Sequence, residues 1–325
     1  MIFTSSCCDN LSIEKIVKRA EKGDSEAQYI VGFYYNRDSA IDSPDDEKAF
    51  YWLKLAAEQG HCEAQYSLGR KYSEDKSRHK DNEQAIFWLK KAALQGHTFA
   101  SNALGWILDR GEDPNYKEAV AWYQIAAESG MPYAQNNLGW MYRNGNGVAQ
   151  DYALAFFWYK QAALQGHSYA QDNLADLYKD GEGVAQNKTL AAFWYLKSAQ
   201  QGNRHAQFQI AWDYNAGEGV DQDYKQAMYW YLKAAAQESV GAYVNIGYMY
   251  KHGQGVEKDY QAAFEWFMKA AECNDATAWY NLAIMYHYGE GRPVDLRQAL
   301  DLYRKVQASG TRDVSQEIRE IEDLL

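Results

Sequence analysis

The chain has 325 residues, a net charge of −11 and 47% apolar residues, with 4 prolines set against 27 tyrosines. That acidic balance excludes general nucleic-acid binding, which needs a basic surface to displace counterions from phosphates. No run approaches the ~20 apolar residues that span a bilayer, so no membrane role is expected; few prolines suit a mostly helical chain.

The first stretch, MIFTSSCCDN, has neither a basic region nor a long apolar run, so residues 1–12 read as a frayed tail rather than a cleaved signal. Cys7 and Cys8 are adjacent, while Cys62 and Cys273 stand over 200 residues apart. This is neither a disulfide framework nor a CxxC metal pair, which implies a reduced, cytoplasmic protein. A redox or metal role for Cys7–Cys8 is the alternative to a plain tail. Residues 13–26, beginning IEKIVKRAEKG, read as a lone helix and its turn, an N-terminal half-repeat cap.

From residue 27 to 312 the chain repeats itself. One series of alanines runs Ala27, Ala64, Ala100, Ala134, Ala170, Ala206, Ala242 and Ala278, each opening a helix of the form A-x-x-x-L-G-x-x-Y. A second runs Ala49, Ala85, Ala119, Ala155, Ala191, Ala227, Ala263 and Ala299, each three residues before Trp52, Trp88, Trp122, Trp158, Trp194, Trp230, Trp266 or, in the last copy, Leu302. The two series together mark eight two-helix hairpins. From each second-series alanine to the next first-series alanine is 15 residues in all seven cases. Within a hairpin the spacing is 22, 21 and 19 residues, then 21 in each of the last five copies. Length variation therefore falls inside the hairpin, as a stacked array predicts, because a change between copies would rotate every later one.

The loop G-x-G, as at Gly145 and Gly147, follows a helix and recurs in five copies, whereas a phosphate loop follows a strand and opens a helix. Its glycines read as a left-handed helix cap and a tight turn. The small sixth residue of each first helix (Gly32, Gly69, Gly105, Gly139, Ala175, Ala211, Gly247, Ala283) admits a close neighbour, and the tryptophan is expected to fill that gap. At the far end VSQEIREIEDLL puts Val314, Ile318, Ile321 and Leu325 on one stripe, so residues 313–325 read as a capping helix.

These motifs, with D-Y-x-x-A, W-Y-x-K-A-A and Q-G-H/N-x-x-A-Q, resemble the Sel-one-like repeat family, a subclass of tetratricopeptide-like repeats, over residues 13–312. Copies one to three lack the full G-x-G-V loop, at residues 36–48 and 73–84. The resemblance implies an all-α fold: a right-handed superhelical solenoid of eight hairpins with helical caps, one domain over residues 1–325. It also implies a bacterial, non-enzymatic adaptor that binds protein on its inner face. Bacterial secreted members often carry a cysteine pair in each repeat that bridges the two helices, and this chain has none. An inhibitor, chaperone-associated or immunity-type protein wrapping one folded target is the chief alternative; a hydrolase is the remote one.

No HExxH, nucleophile elbow or clustered carboxylate–His set is present, so no catalytic residue, metal or cofactor is expected. His61, His97 and His167 recur after a repeat-ending glycine and read as surface or capping residues. The informative residues lie on the first helices. With the opening alanine as position 0 and roughly 100° per residue, positions 0, 4, 5 and 8 form the packing face, and positions 2, 3, 6 and 9 point the other way. Position 6 holds Phe33, Trp106, Trp140, Trp212 and Tyr248, and Arg70, Asp176 and Ile284 in the other copies. Position 2 adds Tyr29, Tyr66, Phe208 and Tyr280; position 3 adds Asn137, Asn173, Asn245 and Asn281; position 9 adds Arg143, Lys179 and Lys251. Aromatics on a non-packing face suit a binding groove, carboxamides can hold a peptide backbone, and the cations favour an acidic or C-terminal carboxylate group on a protein or peptide partner. The competing reading packs the aromatics against neighbouring first helices and bonds the asparagines to nearby carbonyls.

Overall fold

The computed structural model describes residues 8–36, 45–74, 78–111 and 113–325. Cys7 and parts of the loops at 36–48 and 73–84 lie outside the described residues. Two compact units divide the chain, residues 1–162 and 163–325. The first contains α1 (Cys8–Glu21), α2 (Ser25–Tyr35), α3 (Asp46–Glu58), α4 (Cys62–Ser73), α5 (Asn82–Leu94), α6 (Thr98–Arg110), α7 (Tyr116–Glu128), α8 (Pro132–Asn144) and most of α9 (Tyr152–Leu164). The second contains α10 (Ser168–Asp180), α11 (Lys188–Gln200), α12 (Arg204–Ala216), α13 (Tyr224–Ala235), α14 (Val240–His252), α15 (Tyr260–Glu272), α16 (Ala276–Tyr288), α17 (Leu296–Ser309) and α18 (Ser315–Glu322). Among the described residues every regular element is a helix. The end helices differ a little from the sequence reading: α1 begins before residue 13, and α18 stops at Glu322.

Even-numbered helices α2 to α16 are first helices and the odd-numbered ones after them are their partners. All eight first-series alanines are fully buried, and the second series is 2% exposed at most. The helix starts are capped as their residues dictate. Asp24, Asn187, Asp259 and Asp275 each accept a backbone N–H three residues on. His61, His97 and His167 do the same through Nδ1, to Ala64, Ala100 and Ala170, and His61 Nε2 also lies 2.9 Å from Glu26 of the preceding first helix. The G-x-G loops end α8, α10, α12, α14 and α16 with a left-handed glycine. The second loop glycine also permits a close approach: a Cβ at Gly219 would sit 2.1 Å from the Lys188 carbonyl oxygen.

The tryptophan does not fill the gap over the small first-helix residue. The residue after it does. A Cβ at Gly105 would lie 2.8 Å from ring carbons of Tyr123, and one at Gly139 2.8 Å from Tyr159. Leu53, Leu89, Tyr195, Tyr231, Phe267 and Tyr303 hold the same position, all essentially inaccessible. The tryptophan, turned about 100° away on the same helix, reaches the neighbouring hairpin instead. Trp88 packs with Leu53, Ala56 and Ala57 of α3, and Trp122 with Leu89, Ala92 and Ala93 of α5. Two consecutive side chains thus close the hairpin and couple it to the one before.

A glutamine at position 1 completes the coupling. Gln28, Gln65, Gln171 and Gln207 are buried. Each donates Nε2 to a carbonyl at the end of the preceding helix, Ala20, Ala57, Ala163 and Ala199, at 3.1 to 3.2 Å. Each accepts Nε2 of a glutamine ending its own hairpin, Gln59, Gln95, Gln201 and Gln237, at 2.7 to 2.8 Å. A buried carboxamide bonded on both sides sets the register between hairpins, because slippage strands a donor and an acceptor. Replacing Gln207 by Leu is therefore expected to cost about 1–3 kcal/mol. Hydrogen exchange should show the lost protection concentrated in α11, α12 and α13; uniform loss through the second unit would contradict a local ladder.

Candidate functional site

The first-helix faces that packing leaves over can be followed unit by unit. In the first, Phe33, Trp106 and Trp140 are exposed, the two indoles by 47% and 43%. Tyr29 is half-buried, its ring stacked on His61 with centroids 4.7 Å apart and 6.0 Å from that of Phe33. Asn137 Nδ2 donates to Asn102 Oδ1 at 3.3 Å, linking α8 to α6. Arg143 is half-buried, and its carbonyl accepts Gln150 Nε2 at 2.8 Å.

In the second unit Trp212 and Tyr248 are exposed by 42% and 46%, and Tyr248 lies beside His252, 4.1 Å between centroids. Phe208 is half-buried between Tyr231 and Gly241. Tyr280 stands edge-on to Tyr303 at 6.0 Å and beneath the Arg312 guanidinium at 4.0 Å. Both rings pack within the unit, and Phe208 also lines an open cleft with His205 and Val240. Asn245 and Asn281 donate to carbonyls four residues back in their own helices, Gly241 and Thr277, at 2.8 Å, so these two do not reach between hairpins. Asn173 is half-buried.

The cation strip also needs correction. Lys251 is 8% exposed, and its ammonium lies 2.7 Å from Glu290 in the loop of the next hairpin. It is a structural ion pair, since a buried charge persists where a partner meets it. Lys179 donates to Gln209 Oε1 at 3.3 Å. That bond belongs to a polar lattice the sequence reading missed. Gln209 Nε2 lies 3.0 Å from His205 Nε2, and His205 Nδ1 is 3.0 Å from both Asp172 carboxylate oxygens. The Asp172 hydrogen bond raises the His205 pKa above its usual value. Asp176, standing where five other copies carry an aromatic, accepts the Tyr195 hydroxyl at 2.5 Å. Asp109 does the same for Tyr123 at 2.7 Å, and burial pushes its carboxyl above the usual range. Carboxylates at these positions satisfy phenols that the hairpin core would otherwise strand.

Asp213 is the departure with the largest consequence. Its position, 7 in the same count, holds Ile107, Met141, Leu177, Met249 and Met285 in five copies, and Tyr34 and Lys71 in the first two. It is 6% exposed, and burial drives its pKa up to about 7, against the opposing pull of Lys179 and Lys188 and with help from Glu218. An acid at a position that is apolar in five copies was the available signal. The folded state prefers the protonated acid, so its stabilisation is complete below the unfolded value near 3.9 and is lost as pH rises through about 7. Asp213→Met should raise the melting temperature at pH 8 by the equivalent of about 2–4 kcal/mol and leave it near parental at pH ~4. Equal effects at both pH values would show that the acid is ionised throughout.

Among the described residues no group of three or more His, Cys, Asp or Glu could hold a metal ion, and no helix is long and apolar enough to cross a membrane. Comparison with known proteins accords with the geometry. The Sel1 repeat family matches eight consecutive segments: residues 25–61, 62–97, 98–131, 132–167, 168–203, 204–239, 240–275 and 276–305. A Sel1-repeat-containing protein of Escherichia coli K12, YbeQ, is 94% identical over 151 residues, which is 46% of this chain and 46% of that one. The chain thus matches less than half the length of that curated relative. Among solved structures, a protective antigen of uropathogenic E. coli strains with an SLR fold is 35% identical, covering 92% of this chain and 64% of that one, with a TM-score of 0.86. A Sel1 repeat protein from Oxalobacter formigenes is 29% identical over 95% of this chain and 90% of that one, with a TM-score of 0.70.

Proposed function

The chain belongs to the Sel1-repeat family, whose proteins generally mediate protein–protein interaction, and on that premise we propose that it is a non-catalytic scaffold that holds a peptide or a protein surface against its first helices. One observation carries the reading. Large aromatics recur at position 6, as Trp106 and Trp140 in one unit and Trp212 and Tyr248 in the other, more than 40% exposed beside neighbours at positions 0, 4 and 5 that are fully buried or nearly so. Exposed indoles spaced one repeat apart are costly in water and suited to the core of an interface. Carboxylates and lysines on the same face are spent on bonds within the fold, which favours recognition by apolar contact over catalysis. A cytoplasmic location belongs to the same proposal, supported by four cysteines in no pairing pattern.

The test separates contact from packing. Trp140→Ala should leave the melting temperature nearly unchanged and weaken a captured stoichiometric partner by about 2 kcal/mol or more. Tyr159→Ala, which empties a fully buried ring position, should cost about 3–5 kcal/mol of stability. If Trp140→Ala unfolds the protein as readily, the aromatic face is packing and the scaffold reading loses its support.

A further inference from the structure

In the first unit the exposed face of α4, α6 and the start of α8 closes into a cleft of about 460 Å³, a size that suits a small ligand group. Tyr66, Arg70, Phe99, Asn102, Trp106 and Tyr133 line it. One wall is fixed in place. The Tyr66 ring stacks on His97, centroids 4.4 Å apart, while His97 accepts the Ala100 N–H as the α6 cap and lies 3.2 Å from Glu63. Moving Tyr66 means giving up a packed ring over a helix cap. Across the cleft Trp106 lies beneath the Arg110 guanidinium, 5.4 Å from its centroid.

The polar groups complete a pattern. Asn137 and Asn102 share one hydrogen bond, which leaves the Asn102 NH2 group to donate and the Asn137 carbonyl oxygen to accept, the pairing a peptide group requires. Arg70 stands at position 6, where Phe33, Trp106 and Trp140 stand in the other hairpins of this unit. Its guanidinium is half-exposed and 3.6 Å from Glu74, one turn along its own helix. Such an exposed pair contributes little, and a carboxylate accepting both guanidinium N–H groups would displace it.

We propose that this cleft is the specificity pocket of the scaffold, taking one aromatic or long aliphatic side chain of an extended peptide whose neighbouring residue is acidic. The apolar side chain lies among Phe99, Trp106 and Tyr133, the Asn102–Asn137 pair holds the adjoining peptide group, and Arg70 takes the acid. This rests on the groove reading above and adds a ligand chemistry to it. The rigid Tyr66 wall means little ordering is required on binding.

A random-peptide display library panned on the full chain tests it. Selected peptides should share a bulky apolar residue next to Asp or Glu. Trp106→Ala should weaken them about tenfold or more without changing the melting temperature. Panning on Arg70→Glu should exchange the acid for Lys or Arg while keeping the apolar anchor, a change that altered folding would not produce. Peptides whose binding is lost in Trp212→Ala and kept in Trp106→Ala would overturn the pocket and leave the groove reading standing. So would acidic peptides selected unchanged by Arg70→Glu. Enrichment of no peptide on the parent chain would remove both.

Discussion

Each hairpin closes because a first-helix residue with no side chain, or only a methyl, faces a full ring or leucine on its partner helix. At Gly105 and Gly139 the opposing tyrosine carbons leave no room for a Cβ in place, so the two helices approach as closely as backbone allows. This one demand allots the other positions. Alanine at position 0 and leucine, isoleucine or valine at position 4 fall on the same side and go to zero or nearly zero exposure. The side chain after the tryptophan serves the hairpin, and the tryptophan serves its neighbour. The position-6 aromatics are left outside the closure, whereas Phe208 and Tyr280 at position 2 and Asp176 at position 6 meet the closing tyrosine of their own hairpins.

Coupling between hairpins depends on directed bonds as well as apolar contact. The position-1 glutamine bonds backward to a carbonyl and forward to a second glutamine, as Gln207 does with Ala199 and Gln237. In an array where each hairpin touches only its neighbours, such bonds are repeated nearest-neighbour terms, and stability is distributed along the chain. Where the repeat departs from its pattern, the departure has a local reason. Asp176 gives up an aromatic to satisfy Tyr195, Lys251 ties its helix to the following loop through Glu290, and Asp213 places an acid among buried rings at a cost that rises with pH.

Much of this was legible in the residues. The alanine series gave the hairpins and their phase, the loop glycines gave the left-handed caps, and the helix wheel set Trp106, Trp140, Trp212 and Tyr248 on an exposed face. Other features were hidden for physical reasons. Trp122 and Tyr123 are adjacent and both apolar, so spacing alone could not tell which one meets Gly105; that depends on how the helix is rotated. Lys251 looked like a free cation because Glu290 lies in the next hairpin. Asn245 and Asn281 matched Asn137 in register but bond within their own helices. The glutamine ladder was visible as a recurring A-Q and Q-G, yet its meaning needed the carbonyl geometry.

The central claim is that hairpin closure leaves the position-6 aromatics for a partner. Hydroxyl-radical footprinting of the tryptophans, in the free protein and in its complex with a captured stoichiometric partner, addresses that claim most directly. Trp106, Trp140 and Trp212 should be oxidised readily in the free protein, with at least one consecutive pair protected in the complex, while the buried Trp88, Trp122 and Trp230 react slowly in both. Equal oxidation of Trp106, Trp140 and Trp212 with and without the partner would contradict it.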